Sequence, residues 1–248
     1  MNAPDTSGQQ AGLPTIVLVH GAFADSSSWN GVIAHLRRQG YPAIAVANPL
    51  RGVQEDAAYA RSVVDSIDGP VVMVAHSYGG LVITEAADGA ANVKALVYVA
   101  SISPDVGESV VDLVTKYPGS QLVTSIKMVP FPLPDGGTGM DQYIQQDKFP
   151  AVFAADVAPE VAELMAVTQR PATASAQTGS VTKAAWKTIP SWTLISKQDQ
   201  GIPPDLQRFL ADRAGSTVIE VDGSHAVAVS KPGPVADFID TAARATMR

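Results

Sequence analysis

Apolar and polar residues follow two periods along this chain, and the two periods take turns. Short β-branched runs bounded by glycine, proline or polar residues recur at "TIVLV" (15–19), "YPAIAVAN" (41–48), "PVVMVA" (70–75), "VKALVYVAS" (93–101), "SWTLIS" (191–196) and "STVIEV" (216–221). Each reads as a strand. Stretches of helical period lie between them: in "SWNGVIAHLRRQG" (28–40), Trp29, Val32, Ile33 and Leu36 share one face and Gly40 marks a stop. Further helices are predicted over 55–67, 79–88, 205–214 and 233–245. The strand runs are almost continuously apolar, as in a parallel sheet covered on both faces. The expected fold class is α/β, with a doubly wound, mostly parallel sheet of six strands.

The rhythm stops between Ser103 and Pro190. Prolines cluster in "VPFPLPDGGTG", short helical patterns occur in "GESVVDLVTKY" and "APEVAELMAVTQ", and an extended pair is suggested around 142–154. A stretch of this length is not a loop inside a compact domain. We read 103–188 as a mainly helical cap insertion, 15–102 and 189–248 as the core, and 1–14 as a disordered leader. The insertion is expected over the sheet edge where open α/β folds bind ligands.

Composition narrows the choice. A chain of 248 residues with 46% hydrophobic residues suits one globular domain. The formal net charge is -7 and the lysines and arginines are dispersed, so a nucleic-acid partner is not expected. The absence of cysteine excludes disulfides, thiolate metal sites and a cysteine nucleophile. The first residues lack the basic and apolar regions of a targeting signal, and no apolar run reaches membrane-spanning length. The expected location is cytoplasmic, without membrane insertion.

One motif carries chemistry. In "VVMVAHSYGGLVITEAA" (71–87) a buried strand runs into His76 and Ser77, and a helix opens at once. A serine on so sharp a strand-to-helix turn occupies a nucleophile elbow. The turn needs small residues two before and two after the serine, and these are Ala75 and Gly79. Glycine is usual at both places, and alanine still fits by size. A serine hydroxyl is a weak nucleophile and requires a base and an orienting acid. Of the four histidines, His20 ends the first strand, His35 lies on a helix as a solvated residue, and His76 sits inside the turn pointing away from its neighbour. His225, in "DGSHAVAVSKP" after the last strand, is the expected base. Asp199, three residues past Ser196, is the expected acid, with Asp105 after the fourth strand as its competitor. Asp205 is read as capping or opening the next helix, and Asp222 is too close in sequence to His225. Backbone amides of Tyr78 and Ala22, with Phe23 second, are the expected oxyanion donors. No histidine pair has metal-site spacing, so no metal is expected.

"LVHGAFADSSSW", "AHSYGG", "SKQDQGIPPDLQRFLADRAG" and "GSHAVAVSKP" together resemble the α/β-hydrolase family, in particular its branch of small methylesterases, bacterial esterases and hydroxynitrile lyases. The resemblance runs from about Thr15 to the C-terminus, leaving out the insertion, which matches only in length and helical character. It implies a Ser77, Asp199, His225 triad, Ala22 and Tyr78 amides as oxyanion donors, a mobile cap and no cofactor. Such lyases carry threonine where this chain has Gly21 and lysine where it has Ala226, which weakens a lyase reading. An aspartate nucleophile is excluded by Ser77.

The expected activity is hydrolysis of small, fairly apolar carboxylic esters through an acyl-enzyme on Ser77. Lactone hydrolysis, C–C cleavage and perhydrolysis use the same triad. A receptor that turns its ligand over slowly is the alternative from another class, and sustained turnover of a simple aryl ester discriminates against it. Phe23, Phe131, Phe153 and Trp186 are candidate substrate contacts, and Phe149, Leu164 and Met165 are further candidates from the cap.

Overall fold

The computed structural model describes residues 12–247. Strands and helices alternate through Thr15–Val19 (β1), Asn30–Arg38 (α1), Ala43–Val46 (β2), Val53–Asp65 (α2), Val71–Ser77 (β3), Gly79–Ala86 (α3) and Val93–Ser101 (β4). The next stretch holds Val110–Lys116 (α4), Ile126–Pro132 (β5), Thr138–Ile144 (β6), Phe149–Phe153 (α5), Pro159–Val167 (α6), Ala172–Thr173 (β7) and Ala174–Thr178 (α7). Alternation resumes with Ser191–Ser196 (β8), Pro204–Ala214 (α8), Thr217–Val221 (β9), Val227–Ser230 (α9) and Pro232–Ala245 (α10).

Six strands form one sheet in the order β2-β1-β3-β4-β8-β9, and every neighbouring pair is parallel. The chain steps outward from β1 to β2, then crosses to β3 on the far side of β1. The order therefore reverses between β1 and β3, whose carboxyl ends flank the crevice such a switch creates. Side chains leave a strand on alternate faces. Val17, Val19, Val71, Met73 and Ala75 enter a core shared with α2, α3 and α8, whereas Ile16, Leu18, Val72 and Val74 enter one shared with α1 and α10. Both faces are dry, which is why the strands read as unbroken apolar runs.

The predicted elements need four adjustments. Strand β3 continues two residues past Ala75 and includes Ser77 itself, and α2 begins at Val53. The loop expected around His225 contains the short helix α9. The extended pair lies earlier than 142–154, as an antiparallel hairpin of β5 with β6, extended by β7. Pro130 and Pro132 sit in β5, the outer strand of that small sheet, where a missing N–H is tolerated. Residues Phe149–Phe153 are helical, with Pro150 in the first turn, where its fixed φ suits a helix start.

The expected leader, 1–14, lies outside the described residues as far as residue 11, while Leu13 packs against the α1 and α10 core. Among the described residues no helix is long and apolar enough to cross a membrane.

Candidate active site

Ser77 is the last residue of β3 and has φ 53°, in the left-handed region that side chains rarely adopt. Helix α3 starts two residues later, so the strain is that of a strand reversing into a helix, with the hydroxyl left at its apex. The turn is packed from two sides. A methyl group at Gly21 would stand 2.6 Å from Ser77 Cβ, so the loop after β1 lies directly against the serine. A methyl at Gly79 would stand 2.6 Å from the Val19 carbonyl. The small residue at 79 is thus demanded by the end of β1.

The end of β3 and the loops after β8 and β9 bring three predicted side chains together. Ser77 Oγ lies 2.9 Å from His225 Nε2, and His225 Nδ1 lies 2.8 Å from Asp199 Oδ2. All three are buried. The Asp199 carboxylate has further donors: Oδ1 accepts from the amides of Gly201 at 2.7 Å and Ile202 at 2.8 Å, and Oδ2 accepts from Gln207 Nε2 at 2.9 Å. With Asp199 accepting from Nδ1–H, Nε2 is left bare to accept the Ser77 hydroxyl proton. Gln207 was not anticipated. It is fully buried on the same helix as Leu206 and Leu210, and nothing in the sequence marks it out.

The other aspartates lie elsewhere. Asp105 pairs with Lys187, whose hydrogen bond holds the carboxyl below its ordinary range. Asp222 is exposed and pairs with Lys197 at 2.9 Å. Asp205 stands in the first turn of α8 beside Arg208, one residue beyond the helix start at Pro204.

Two backbone segments converge on the serine. Phe23, in the β1 loop, has φ 64° and donates its amide to the Arg170 carbonyl at 3.0 Å. That donor is occupied, which leaves Ala22 as the candidate from this loop. The second candidate, the Tyr78 amide, stands at the start of α3, where a helix terminus favours negative charge. The Tyr78 hydroxyl donates to Asp56 Oδ2 at 2.7 Å, and burial raises the phenol pKa.

His76 has a partner that the sequence does not reveal. Its Nε2–H donates to the His225 carbonyl at 2.8 Å and its ring centroid lies 4.6 Å from that of His225. It therefore faces the His225 loop. His35 is half-buried against Gly233 of α10 rather than solvated. Burial lowers His76 well below its ordinary pKa and brings His20 to about 4. In the window between 6.5 and about 4 the unfolded chain binds protons at His20 that the folded chain does not, so folding stability rises with pH there. Acidification from pH 7 to 5 is expected to cost about 2 kcal/mol through His20, with His76 adding in the same direction. Asp56, raised by burial, acts in the opposite sense above its ordinary carboxylate range. Thermal melts over this range should show Tm falling by at least about 4 °C, and a flat profile would contradict the neutral, buried pair.

The candidate contact residues divide. The Phe153 ring meets His225 edge-on at 4.8 Å and stacks on Phe149 at 4.8 Å, while the Phe153 carbonyl accepts the Ala226 amide. Phe131 lies under the Arg51 guanidinium at 5.3 Å in the β5–β6 hairpin. Trp186 donates to the Pro104 carbonyl and packs by Arg213. Neither Phe131 nor Trp186 lines the two clefts that end on Phe23. Leu164 is exposed, and Met165 lines the smaller cleft. Among the described residues no group of three or more His, Asp or Glu side chains forms a metal site.

A family model described as the alpha/beta hydrolase family matches residues 16–238. The chain belongs to the alpha/beta hydrolase family. The protein named alpha/beta hydrolase nvfD, from Aspergillus novofumigatus (strain IBT 16806), is 27% identical over 254 residues, covering 93% of this chain and 96% of that protein. The carbendazim hydrolyzing esterase of Nocardioides sp. (strain SG-4G) is 31% identical over 117 residues, covering 42% of this chain and 48% of that enzyme. The polyneuridine aldehyde esterase crystal structure superposes with a TM-score of 0.79 at 18% identity, covering 92% of this chain and 99% of that one, and attests the shared hydrolase fold. Family membership and the esterase among the relatives together support an esterase-type hydrolase.

Proposed function

We propose that this hydrolase cleaves small, fairly apolar carboxylic esters through an acyl-enzyme on Ser77. The observation that carries this reading is the continuous chain from Ser77 Oγ through the His225 imidazole to Asp199, at 2.9 and 2.8 Å. Ser77 Oγ bonds to the ester carbonyl carbon while its proton passes to His225 Nε2, and the oxygen's charge falls on the Ala22 and Tyr78 amides. Collapse breaks the bond to the alcohol, which leaves with the proton from Nε2. Water then adds to the acyl carbon, giving a proton to the same nitrogen, and a second collapse returns that proton to Oγ and releases the acid.

Two clefts support the preference for an apolar ester. A cavity of about 380 Å³ is lined largely by apolar residues, among them Val110, Val114, Leu122, Ile126 and Met128, and ends on Phe23. A smaller one of about 130 Å³, bordered by Asp25, Ser27, Ser28, Met165 and Val229, is lined by Phe23 as well. Val229 stands in α9, four residues past His225. In this reading the smaller cleft, which Val229 links to the His225 segment, takes the alcohol, and the larger takes the acyl group.

The test joins chemistry to site. A fluorophosphonate is expected to modify Ser77 alone, and p-nitrophenyl esters are expected to turn over many times per enzyme. Peptide mapping that found the label on Ser27, Ser28 or Ser101, or turnover that ceased after one equivalent, would overturn the proposal.

A further inference from the structure

We infer that Asp56 is a positioning residue for the oxyanion donor at Tyr78, an inference that rests on the esterase mechanism proposed above. Asp56 is fully buried in the first turn of α2, away from the Ser77, His225 and Asp199 cluster, and the mechanism makes no use of its carboxyl group. A buried carboxylate is unfavourable unless its oxygens are satisfied. Those of Asp56 are: Oδ2 accepts the Tyr78 hydroxyl at 2.7 Å and Oδ1 accepts the Arg51 amide at 3.1 Å.

This arrangement grips residue 78 at both ends. Its backbone is held between the strained Ser77 and α3, and its ring, 2% exposed, is fixed at the tip by Asp56. No side chain caps the start of α3; Ser101 Oγ donates to the Ser77 carbonyl at 2.6 Å, and the Tyr78 hydroxyl on Asp56 is the side-chain anchor of residue 78 itself. The loop before α2, whose Arg51 amide donates to Asp56, is itself tied down. Leu50 has φ 61°, its carbonyl accepts the Thr173 amide at 3.0 Å, and the Arg51 carbonyl accepts Thr173 Oγ1 at 2.8 Å. Oxyanion stabilisation depends on donors fixed before the charge develops, so slack at residue 78 weakens the transition state more than the ground state.

Tyr78→Phe deletes the hydroxyl and keeps the ring, while Asp56→Asn keeps the shape and removes the charge. Either change is expected to lower kcat on p-nitrophenyl butyrate about tenfold to thirtyfold, less than loss of a whole oxyanion donor, with KM within about twofold. Affinity for butylboronic acid, which becomes tetrahedral on Ser77, should fall by a similar factor, while inhibition by butyrate should stay within about twofold. The double variant should be no worse than the poorer single one, because both act on the same contact. A purely structural pair would lower Tm and leave kcat and the boronate affinity unchanged, and that result overturns the inference, as does a double variant whose losses add. Tyr78→Phe decides the matter alone if Asp56→Asn does not fold. Failure of fluorophosphonate to label Ser77 in the unaltered enzyme overturns the esterase mechanism itself, whereas a labelled enzyme with indifferent variants overturns only the role of Asp56.

Discussion

Ser77→Ala is expected to lower kcat on a p-nitrophenyl ester by a factor on the order of 10⁶, to a floor set by binding and the oxyanion donors alone. His225→Ala should reach about the same floor, and the double variant should go no lower, because nucleophile and base act as one unit. The reason is visible in the single 2.9 Å contact between Oγ and Nε2: without either atom the other has no role in bond formation. A folding artefact is separable from this loss. Ser77 holds φ 53°, a conformation glycine adopts without steric cost, so Ser77→Gly should be as inactive as the alanine variant yet at least as stable in a thermal melt. Retention of more than about one percent of activity by His225→Ala would remove His225 from the role of base.

Much of the architecture is legible because its signals are local. Each central strand declares itself by a short apolar run, and the turn at Ser77 by the step from such a run into "HSYGG". Asp199 and His225 were approachable because each stands in the loop after a recognisable strand, and the parallel order of the sheet delivers all such loops to one edge. What escaped depends on partners distant in sequence. Gln207 and Asp56 look like ordinary helix residues until α8 and α2 are packed, when one meets Asp199 and the other Tyr78. The direction of His76 is set by the His225 carbonyl, 149 positions along the chain. The β5–β6 hairpin was hidden for another reason. Prolines argue against a strand on local grounds, and only the knowledge that β5 is an outer strand makes Pro130 and Pro132 acceptable there. Aromatic residues in the cap gave no signal of direction: Phe153 reaches His225, while Trp186 turns to Pro104 and Arg213.

Asp199→Asn is expected to reduce kcat by about 10⁴ in a protein that stays folded, and the hydrogen bonds around the carboxylate explain why so slight a change costs so much. Oδ1 accepts two backbone amides, from Gly201 and Ile202, which do not move without rearranging the loop. An asparagine must therefore keep its carbonyl oxygen there and place its NH₂ group where Oδ2 stood. That group then faces His225 Nδ1, and also Gln207 Nε2, which is itself a donor. The imidazole meets this by accepting at Nδ1 and carrying its proton on Nε2. Nε2 then points a hydrogen at Ser77 Oγ and no longer accepts the hydroxyl proton. Asp105→Asn provides the contrast. It loses an exposed pair with Lys187, worth about 1 kcal/mol or less, and should change kcat less than about tenfold. The two variants should be compared at matched distance below their Tm, so that a loosened loop is not mistaken for lost chemistry. An inactive, folded Asp105→Asn beside an active Asp199→Asn would move the orienting acid to the loop after β4, and the hydrogen bonds at Asp199 would then have to be read as structural alone.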